Sequence, residues 1–484
     1  KYNKMTYVIT KQPLKYHTPV GQDLVFTVLS SNASSATKYK YKYIAEIYAT
    51  KDYPTLGSPI NTVLFSQNKD NYGITDLSNI LEQFLSADNL GRQAYGISSR
   101  FKNTAFNAGT TPHPIHCIDK FSINTNSVTY WFILFKEQYA LTPNGAVSQY
   151  SGTATAALSN LFNGVDYGLE QSNVNAEYGI DLSNWNGRSF TSAAGTVDSG
   201  NFLTNSPDNL YIDYEQYHTM AFLAGLWNST PANGEKYYNC TYTFLNAAGG
   251  TISTLTTNIT GANGGYVGST DILPVESGKQ LLYVGCGTGN LLNLGTTIPA
   301  NTVKYSVALY SSGGVRLTPD KYFNLKTPDC KGYETIRLTW LNKYGVWDYY
   351  NFTKKSIKST EINREEYKGI IGNWNDGIFT KNGYDRGRTV LNTNANKKII
   401  CNSDWFRTDA EAAWLEELFI SNEVNILNDY DVNDTGANGA EYGKYITPVI
   451  VSSKKYERYT EANDKVAQYE IEIEYASNMR IQKG

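Results

Sequence analysis

A mainly β protein is the fold class this sequence predicts: several antiparallel β-sandwich or barrel domains, with one short helix in the first and one in the last. Three observations predict it. Tyr occurs 39 times against 3 Met in a chain crowded with Asn, Thr, Ser and Gly; aromatic and β-branched residues favour strands, while Gly and Asn favour the turns between them. Short segments alternate apolar and polar residues with the period of a strand. Gly-Gly and Asn-rich turns join those segments at close intervals.

A length of 484 residues exceeds one ordinary core. The composition shifts along the chain predict four segments: a β-rich domain with one helix over 1–140, a Gly/Ser/Asn-rich extended loop region over 141–204, an antiparallel sandwich over 205–355, and a β-rich domain with one capped helix over 356–484.

In the first segment, "KYKYKYIAEIYAT" places Tyr39, Tyr41, Tyr43, Ala45 and Ile47 on one face and Lys40, Lys42 and Glu46 on the other, a half-buried strand. "TDLSNILEQFL" reads as a helix with Asp76 as N-cap and Leu77, Ile80, Leu81 and Phe84 on one stripe. The stretch from about 140 to 200 has few apolar residues and reads as loop. In the third segment "YNCTYTFLNAAGGTISTLTTNI" and "VKYSVALYSSGGVRL" are hairpins around Gly-Gly, and "YETIRLTWLNKYGVWDYYNF" turns near Asn342 to Gly345. In the last, "TDAEAAWLEELF" carries the capping box Thr408 with Glu411 and a buried stripe of Trp414, Leu415, Leu418 and Phe419. "QYEIEIEYA" alternates Tyr469, Ile471, Ile473 and Tyr475 with Glu470, Glu472 and Glu474, and reads as an edge strand guarded by its carboxylates.

Charge and cysteine usage narrow the function. A net charge of −3 and a pI near 5.9 argue against sequence-specific or general nucleic-acid binding and against an anionic membrane surface, even though the Lys-Tyr alternation of residues 39–43 has the form of a stacking platform. The longest apolar run, "VTYWFILF", has the length of a buried strand and is too short for a membrane span. Cys117, Cys240, Cys286, Cys330 and Cys401 are odd in number and scattered, with no C-x-x-C pair, so isolated buried thiols are expected. The chain opens at Lys1 without a signal-peptide pattern.

The motif with the sharpest chemical implication is "QLLYVGCGTGNLLNLG", because G-C-G-T-G after an apolar run has the outline of the nucleotide loop of S-adenosylmethionine-dependent methyltransferases. Its context fails. Tyr283 stands where an acid is needed, Gly295 and Pro299 leave room for barely one helical turn, and the next acid is Asp320. Gly285, Gly287 and Gly289 are therefore expected to form a connection in a β-domain and to bind no nucleotide, and no cofactor is expected.

Two segments are candidates for a metal site. "HPIHC" gathers His113, His116 and Cys117, but Pro112 and Pro114 exclude a helix and a fourth ligand is missing. "NDYDVNDTGANGAE" offers Asp429, Asp431, Asn433 and Asp434 as calcium ligands; Asp434 falls at the glycine position of an EF-hand and Ala440 at that of its bidentate Glu. Paired carboxylates at Asp213 and Glu215, or at Glu365 and Glu366, have no acid/base assignment without geometry. No G-x-S-x-G, P-loop or H-E-x-x-H occurs. N-x-S/T matches at Asn32, Asn228, Asn239, Asn258, Asn351 and Asn433 are as expected in so Asn- and Thr-rich a chain.

The segments "CKGYETIRLTWLNKYGVWDYYNFTKKSIKSTEINREEYKG" and "NSDWFRTDAEAAWLEELFISNEVNIL" resemble structural, tail-associated virion proteins of tailed bacteriophages. The likeness covers about the C-terminal third: Leu338 and Trp340 in a strand, the turn at Leu341-Asn342, Gly345, the aromatic run from Trp347 to Phe352, then a capped helix before "SNEV". It carries no catalytic residue. The resemblance implies a non-enzymatic, virion-located, oligomeric component of a tail, tail tip or adaptor, whose partners are copies of itself in symmetric contact and other virion proteins. A secreted or surface adhesin using exposed Tyr and Trp to stack on sugars is the alternative, followed by a glycan-degrading enzyme with two converging carboxylates. Aromatic residues at 13% beside 18% charged lead us to expect subunit contacts of at least roughly 1,000 Å², with the 140–200 region contributing.

Overall fold

In the computed structural model the described residues are 7–13, 17–50, 57–86, 121–123, 128–162, 172–174, 177–179, 202–214, 216–223, 239–258, 281–293, 296–310, 314, 316, 318–325, 332–375, 377–385, 387–427, 446–453, 455–456, 467–477 and 479–480. The protein is mainly β with several antiparallel sheets, as the composition predicts. The chain divides into two compact units, one drawn from Lys1–Pro328 and Leu341–Tyr349, the other from Asp329–Trp340, Tyr350–Asn428 and Gly443–Gly484. No helix among the described residues is long and apolar enough to cross a membrane.

In the first unit the strands are β1 (Tyr7–Pro13), β2 (His17–Pro19), β3 (Val25–Ser30), β4 (Tyr39–Thr50), β5 (Asn61–Phe65) and β6 (Tyr72–Asp76), then the one-turn helix α1 (Ser78–Leu81), β7 (Phe121–Ile123), β8 (Val128–Ala140), β9 (Ser148–Phe162), β10 (Ser172–Val174) and β11 (Glu177–Gly179). They form the sheets β10-β11-β1-β3-β6 and β2-β9-β8-β4-β5. Between them lies a core of Phe26, Val28, Tyr43, Ala45, Ile47, Leu77, Leu81, Trp131, Ile133 and Phe135, with Phe26 edge-on to Trp131 at 6.1 Å. Alternation explains it: β3 buries Phe26, Val28 and Ser30 and turns Thr27 and Leu29 outward.

Three expectations need correction here. Residues 148–162, poor in apolar side chains, form the 15-residue strand β9, because pairing with the strongly apolar β8 supplies what its own side chains lack. β4 is buried on both faces at its centre, Ile44 and Glu46 included, because it lies between β5 and β8 and because Lys136 meets the Glu46 carboxylate at 2.7 Å. Asp76 does not cap α1: Leu77 holds that position, and Asp76 Oδ1 accepts from the Ser78 and Leu24 N–H groups. Leu77 and Leu81 are in the core as expected, with Ile80 packed against it.

The unit continues with β12 (Asn209–Ile212), β13 (Thr219–Leu223), β14 (Asn239–Leu245), β15 (Thr251–Asn258), β16 (Leu281–Gly285), helix α2 (Thr288–Asn293), β17 (Lys304–Tyr310) and β18 (Lys321–Leu325). The order β12-β18-β17-β14-β15 makes one sheet and β13-β16-β7 another. Gly249, with φ +81°, turns the β14–β15 hairpin at its expected place.

The strands that follow are organised on one large sheet. β19 (Ile336–Leu341) and β20 (Trp347–Phe352) turn through Asn342 to Gly345, where Gly345 has φ +75°. β21 (Ile357–Lys368) and β22 (Arg388–Asn402) follow, then helix α3 (Asp409–Ile420), β23 (Val424–Leu427), β24 (Ile446–Val451), β25 (Glu470–Tyr475) and β26 (Met479–Arg480). The sheet order is β20-β19-β23-β24-β25-β22-β21, with β26 also on β22. α3 begins with the expected capping box and buries Trp414, Leu415 and Leu418; Trp414 packs on Trp340 at 5.3 Å, and Phe419 on Tyr469 at 6.0 Å. β25 is an interior strand, not an edge. Its Glu472 carboxylate is tolerated between two neighbours because Lys398 of β22 pairs with it at 3.2 Å.

Candidate functional site

The glycine loop is closed by its own chain. β16 delivers Gly285, and the residues after it press against the segment leading into β13. The N–H groups of Cys286 and Gly287 donate to the His218 carbonyl at 2.7 and 3.1 Å, and that of Gly289 to the Gln216 carbonyl at 2.9 Å. Asn290 Oδ1 accepts from the N–H groups of His218 and Gly287, and Thr288 Oγ1 donates to the Asp213 carbonyl. A Cβ on residue 287 would stand 2.4 Å from Gln216 O and 2.5 Å from His218 N, so the close backbone approach requires glycine. Phenols of Tyr242 and Tyr305 donate to the Gly285 and Cys286 carbonyls, both at 2.7 Å. The N–H groups of Cys286, Gly287 and Gly289, of the kind a bound phosphate would need, are thus spent on backbone carbonyls, and the six residues of α2 follow as a short connection.

A second polar cluster surrounds Glu137 on β8, which is buried to 3% exposure. Its Oε2 accepts from Ser30 Oγ and Tyr41 OH, each at 2.7 Å, and its Oε1 accepts from the Asn32 side-chain amide. Tyr43 OH receives the Ser30 N–H and donates to the Asn71 carbonyl at 2.6 Å. Burial, helped by neighbouring Glu137, pushes the Tyr41 phenol far above its usual range, so it stays a neutral donor. The cluster ties β8 and β4 to the turn after β3. A carboxylate with three such donors can be buried without a cationic partner. It also seals the Asn32 glycosylation match inside the fold.

The surface most unlike an ordinary domain exterior is the β21–β22 ribbon. All 12 residues of β21 are exposed, and among the described residues β22 is its one strand partner. On its other side β22 meets β26 at Asn394 and Ala395 and β25 from Lys398 onward, which among the described residues leaves Arg388–Thr393 paired with β21 alone. In the connection that follows β21, Asn373 bridges Thr380, Gly372 at φ +96° lets the backbone pass the Phe379 ring, and the Trp374 indole N–H donates to the Ile371 carbonyl at 3.0 Å. Yet it presents Ile370 (86% exposed), Ile378 (78%), Tyr384 (81%) and Trp374 (69%) to solvent, with Phe379 beside Trp374 at 4.9 Å. Single exposed apolar residues are ordinary; this many on one connection are unlike an ordinary domain exterior.

Of the residues singled out in the sequence, Asp429, Asp431, Asn433 and Asp434 lie outside the described residues, as do His113, His116, Cys117 and Glu215. Asp213 sits in a turn with the Gln216 side chain. Glu365 and Glu366 are on the exposed ribbon, where Glu366 pairs with Arg388. Cys240, Cys286 and Cys401 are buried thiols, and desolvation pushes those of Cys240 and Cys401 up to about 12. Sequence reasoning passed over the ribbon, although a signal was there: Ile357, Ile362 and Tyr367 recur at a spacing that keeps neither face of a strand apolar.

No family model and no curated protein matches this chain. Among solved structures it is similar to dimeric latent PorU from Porphyromonas gingivalis, 10% identical over 82% of this chain and 32% of that one, with a TM-score of 0.16. It is also similar to trypsin-activated alpha-2-macroglobulin from Escherichia coli, 8% identical over 82% of this chain and 40% of that one, with a TM-score of 0.14. This chain therefore spans well under two thirds of either, and likeness at that level carries no argument about fold or function.

Proposed function

We propose that this chain is a non-enzymatic structural protein of a tailed-phage virion, a tail, tail-tip or adaptor component that acts through oligomeric contacts. The observation that carries the reading is the ribbon, exposed along all of β21 and ending in an apolar, aromatic tip. A two-stranded ribbon is marginal in water unless something covers it, and an aromatic patch of this kind is characteristic of interface cores. The resemblance to tail-associated proteins supports the virion part of the reading and spans β19 to β21 and α3. Quantitative mass spectrometry of gradient-purified particles tests it. The chain should appear at a fixed copy number per particle, and recovery only from particle-free fractions would refute the reading.

The adhesin reading has one observation in its favour, since Trp374 and Tyr384 present ring surface to solvent in the manner of sugar-stacking residues. Saturable quenching of tryptophan fluorescence by an oligosaccharide, lost in Trp374→Ala, would support it. A flat response across neutral and acidic oligosaccharides would remove it.

A further inference from the structure

We infer that two copies of this chain associate about a two-fold axis by antiparallel pairing of the outer edges of their β21 strands, with Ile362 on the axis. The inference specifies the self-association proposed above and rests on that part of the reading alone, not on the virion part.

β21 is a 12-residue edge strand, about 40 Å long at strand rise, and its outer row of N–H and C=O groups has no strand partner among the described residues. Natural edges of this length are blunted or paired. The irregularity in its pairing with β22 falls between Glu365 and Glu366, where β22 carries the extra residue Leu391, so β21 itself keeps an unbroken alternation.

Symmetry, charge and apolar coverage together select the register. Across a two-fold axis perpendicular to a sheet, a residue can lie opposite only residues of its own face, so the axis must pass through a residue and not between two. Centring on Glu361 sets Glu361 against Glu361 and Lys358 against Arg364. Centring on Asn363 sets Lys358 against Lys368 and Glu361 against Glu365. Both place like charges directly opposite, which is destabilising in a sheet. Centring on Ile362 sets Lys358 against Glu366, twice by symmetry, and brings no like charges together. The same register pairs Ile362 with Ile362 and Ile357 with Tyr367, so it covers all three exposed apolar residues of the strand, which are 51%, 47% and 50% exposed. Charge complementarity and apolar coverage therefore agree on one register.

The size is adequate. In this arrangement the tip beyond Lys368 of each copy runs beside the chain preceding Ile357 of the other. β21 and the described residues of the connection that follows it together supply about the 20–30 residues per side of a standard interface. The contact is isologous and closes on itself, the commonest symmetry of soluble oligomers.

The test is a cysteine scan of β21 in the full chain with mild oxidation and non-reducing electrophoresis, beside light scattering for mass. Ile362→Cys should give a disulfide-linked dimer well above the wild-type background, and Ser359→Cys, whose symmetry mate lies about 20 Å away at strand rise, should not. Lys358→Glu should shift the dimer towards monomer with an unchanged circular dichroism spectrum, and the double change Lys358→Glu with Glu366→Lys should restore it. A dimeric or larger wild type in which Ile362→Cys fails to cross-link overturns this contact and leaves the assembly reading standing. A wild type that stays monomeric at high micromolar concentration overturns both.

Discussion

Replacing Gly287 with Ala tests the account of the glycine loop with a size that the structure dictates. The added methyl would stand 2.4 Å from Gln216 O, 2.5 Å from His218 N and 2.8 Å from the Tyr217 carbonyl carbon, all backbone atoms with no rotamer to move. Relief requires the two segments to part, and that strains the donations of Cys286 and Gly287 to His218 O and of Gly289 to Gln216 O. Overpacking costs about 1–3 kcal/mol, and each weakened backbone hydrogen bond about 0.5–1.5 kcal/mol. A loss of about 3–5 kcal/mol follows, or roughly 10 °C in the midpoint of the first unit at about 2–4 °C per kcal/mol. Differential scanning calorimetry reads this directly. Gly377→Ala is the control, since nothing lies within 4 Å of its added methyl, and it should leave both transitions in place. A midpoint for Gly287→Ala within about 1 °C of wild type, or saturable S-adenosylmethionine binding by the wild type in calorimetry, would refute the reasoning.

Further outcomes follow from the buried contacts. Glu137→Leu orphans three buried donors and should cost more than about 3 kcal/mol at about 1–3 kcal/mol each, whereas Glu137→Gln, which keeps acceptors for Ser30 and Tyr41, should cost under about 1.5 kcal/mol; equal losses in urea unfolding would contradict the cluster. Trp414→Ala should destabilise the second unit by about 3–5 kcal/mol and Thr408→Ala by about 1 kcal/mol, measured on the same denaturation curves. The Lys398 ammonium, then Ser452, lowers the Glu472 carboxyl below the ordinary glutamate range. A lowered folded value means stability present above the unfolded value and lost as pH falls through the folded one; the exposed setting keeps it small. NMR titration should place Glu472 below exposed glutamates, and Lys398→Gln should raise it.

The sequence made the strands legible wherever a face had to be buried. β25 reads correctly as Tyr469, Ile471 and Ile473 inward, and α3 as a capped helix, because alternation and the Thr408–Glu411 box are local chemistry. What the alternation could not say is which neighbours a strand takes. β25 has the charges of an edge and lies inside the sheet, because the compensating Lys398 comes from another strand. β9 lacks an apolar face of its own and forms against β8, a long-range decision that no window of residues contains. The context of the glycine motif departs from that of a nucleotide loop, but the reason for Gly287 lies in the backbone of 216–218, far away in sequence. Glu137 gave no sign at all, since its three donors arrive from positions about a hundred residues earlier.

In the ribbon the dependence of a strand on its neighbours becomes a measurable property. A strand that is exposed at every residue gains little from apolar burial, and its order rests on backbone hydrogen bonds to β22 and on exposed ion pairs such as Lys398–Glu361 and Arg388–Glu366. Exposed pairs contribute under about 1 kcal/mol each, and isolated hairpins are marginal, so local opening should be cheap in a lone chain. Edge pairing would change this on one side only. The outward N–H groups of β21 would gain partners, and the apolar residues Ile357, Ile362 and Tyr367 would leave water. Amide exchange should therefore be fast along β21 in a dilute sample and slow by at least about tenfold in a concentrated one, while amides of β23 and β25, interior to the sheet, should not change with concentration. Slow exchange along β21 at every concentration would mean that the strand is held within its own chain, and association would then have to begin elsewhere.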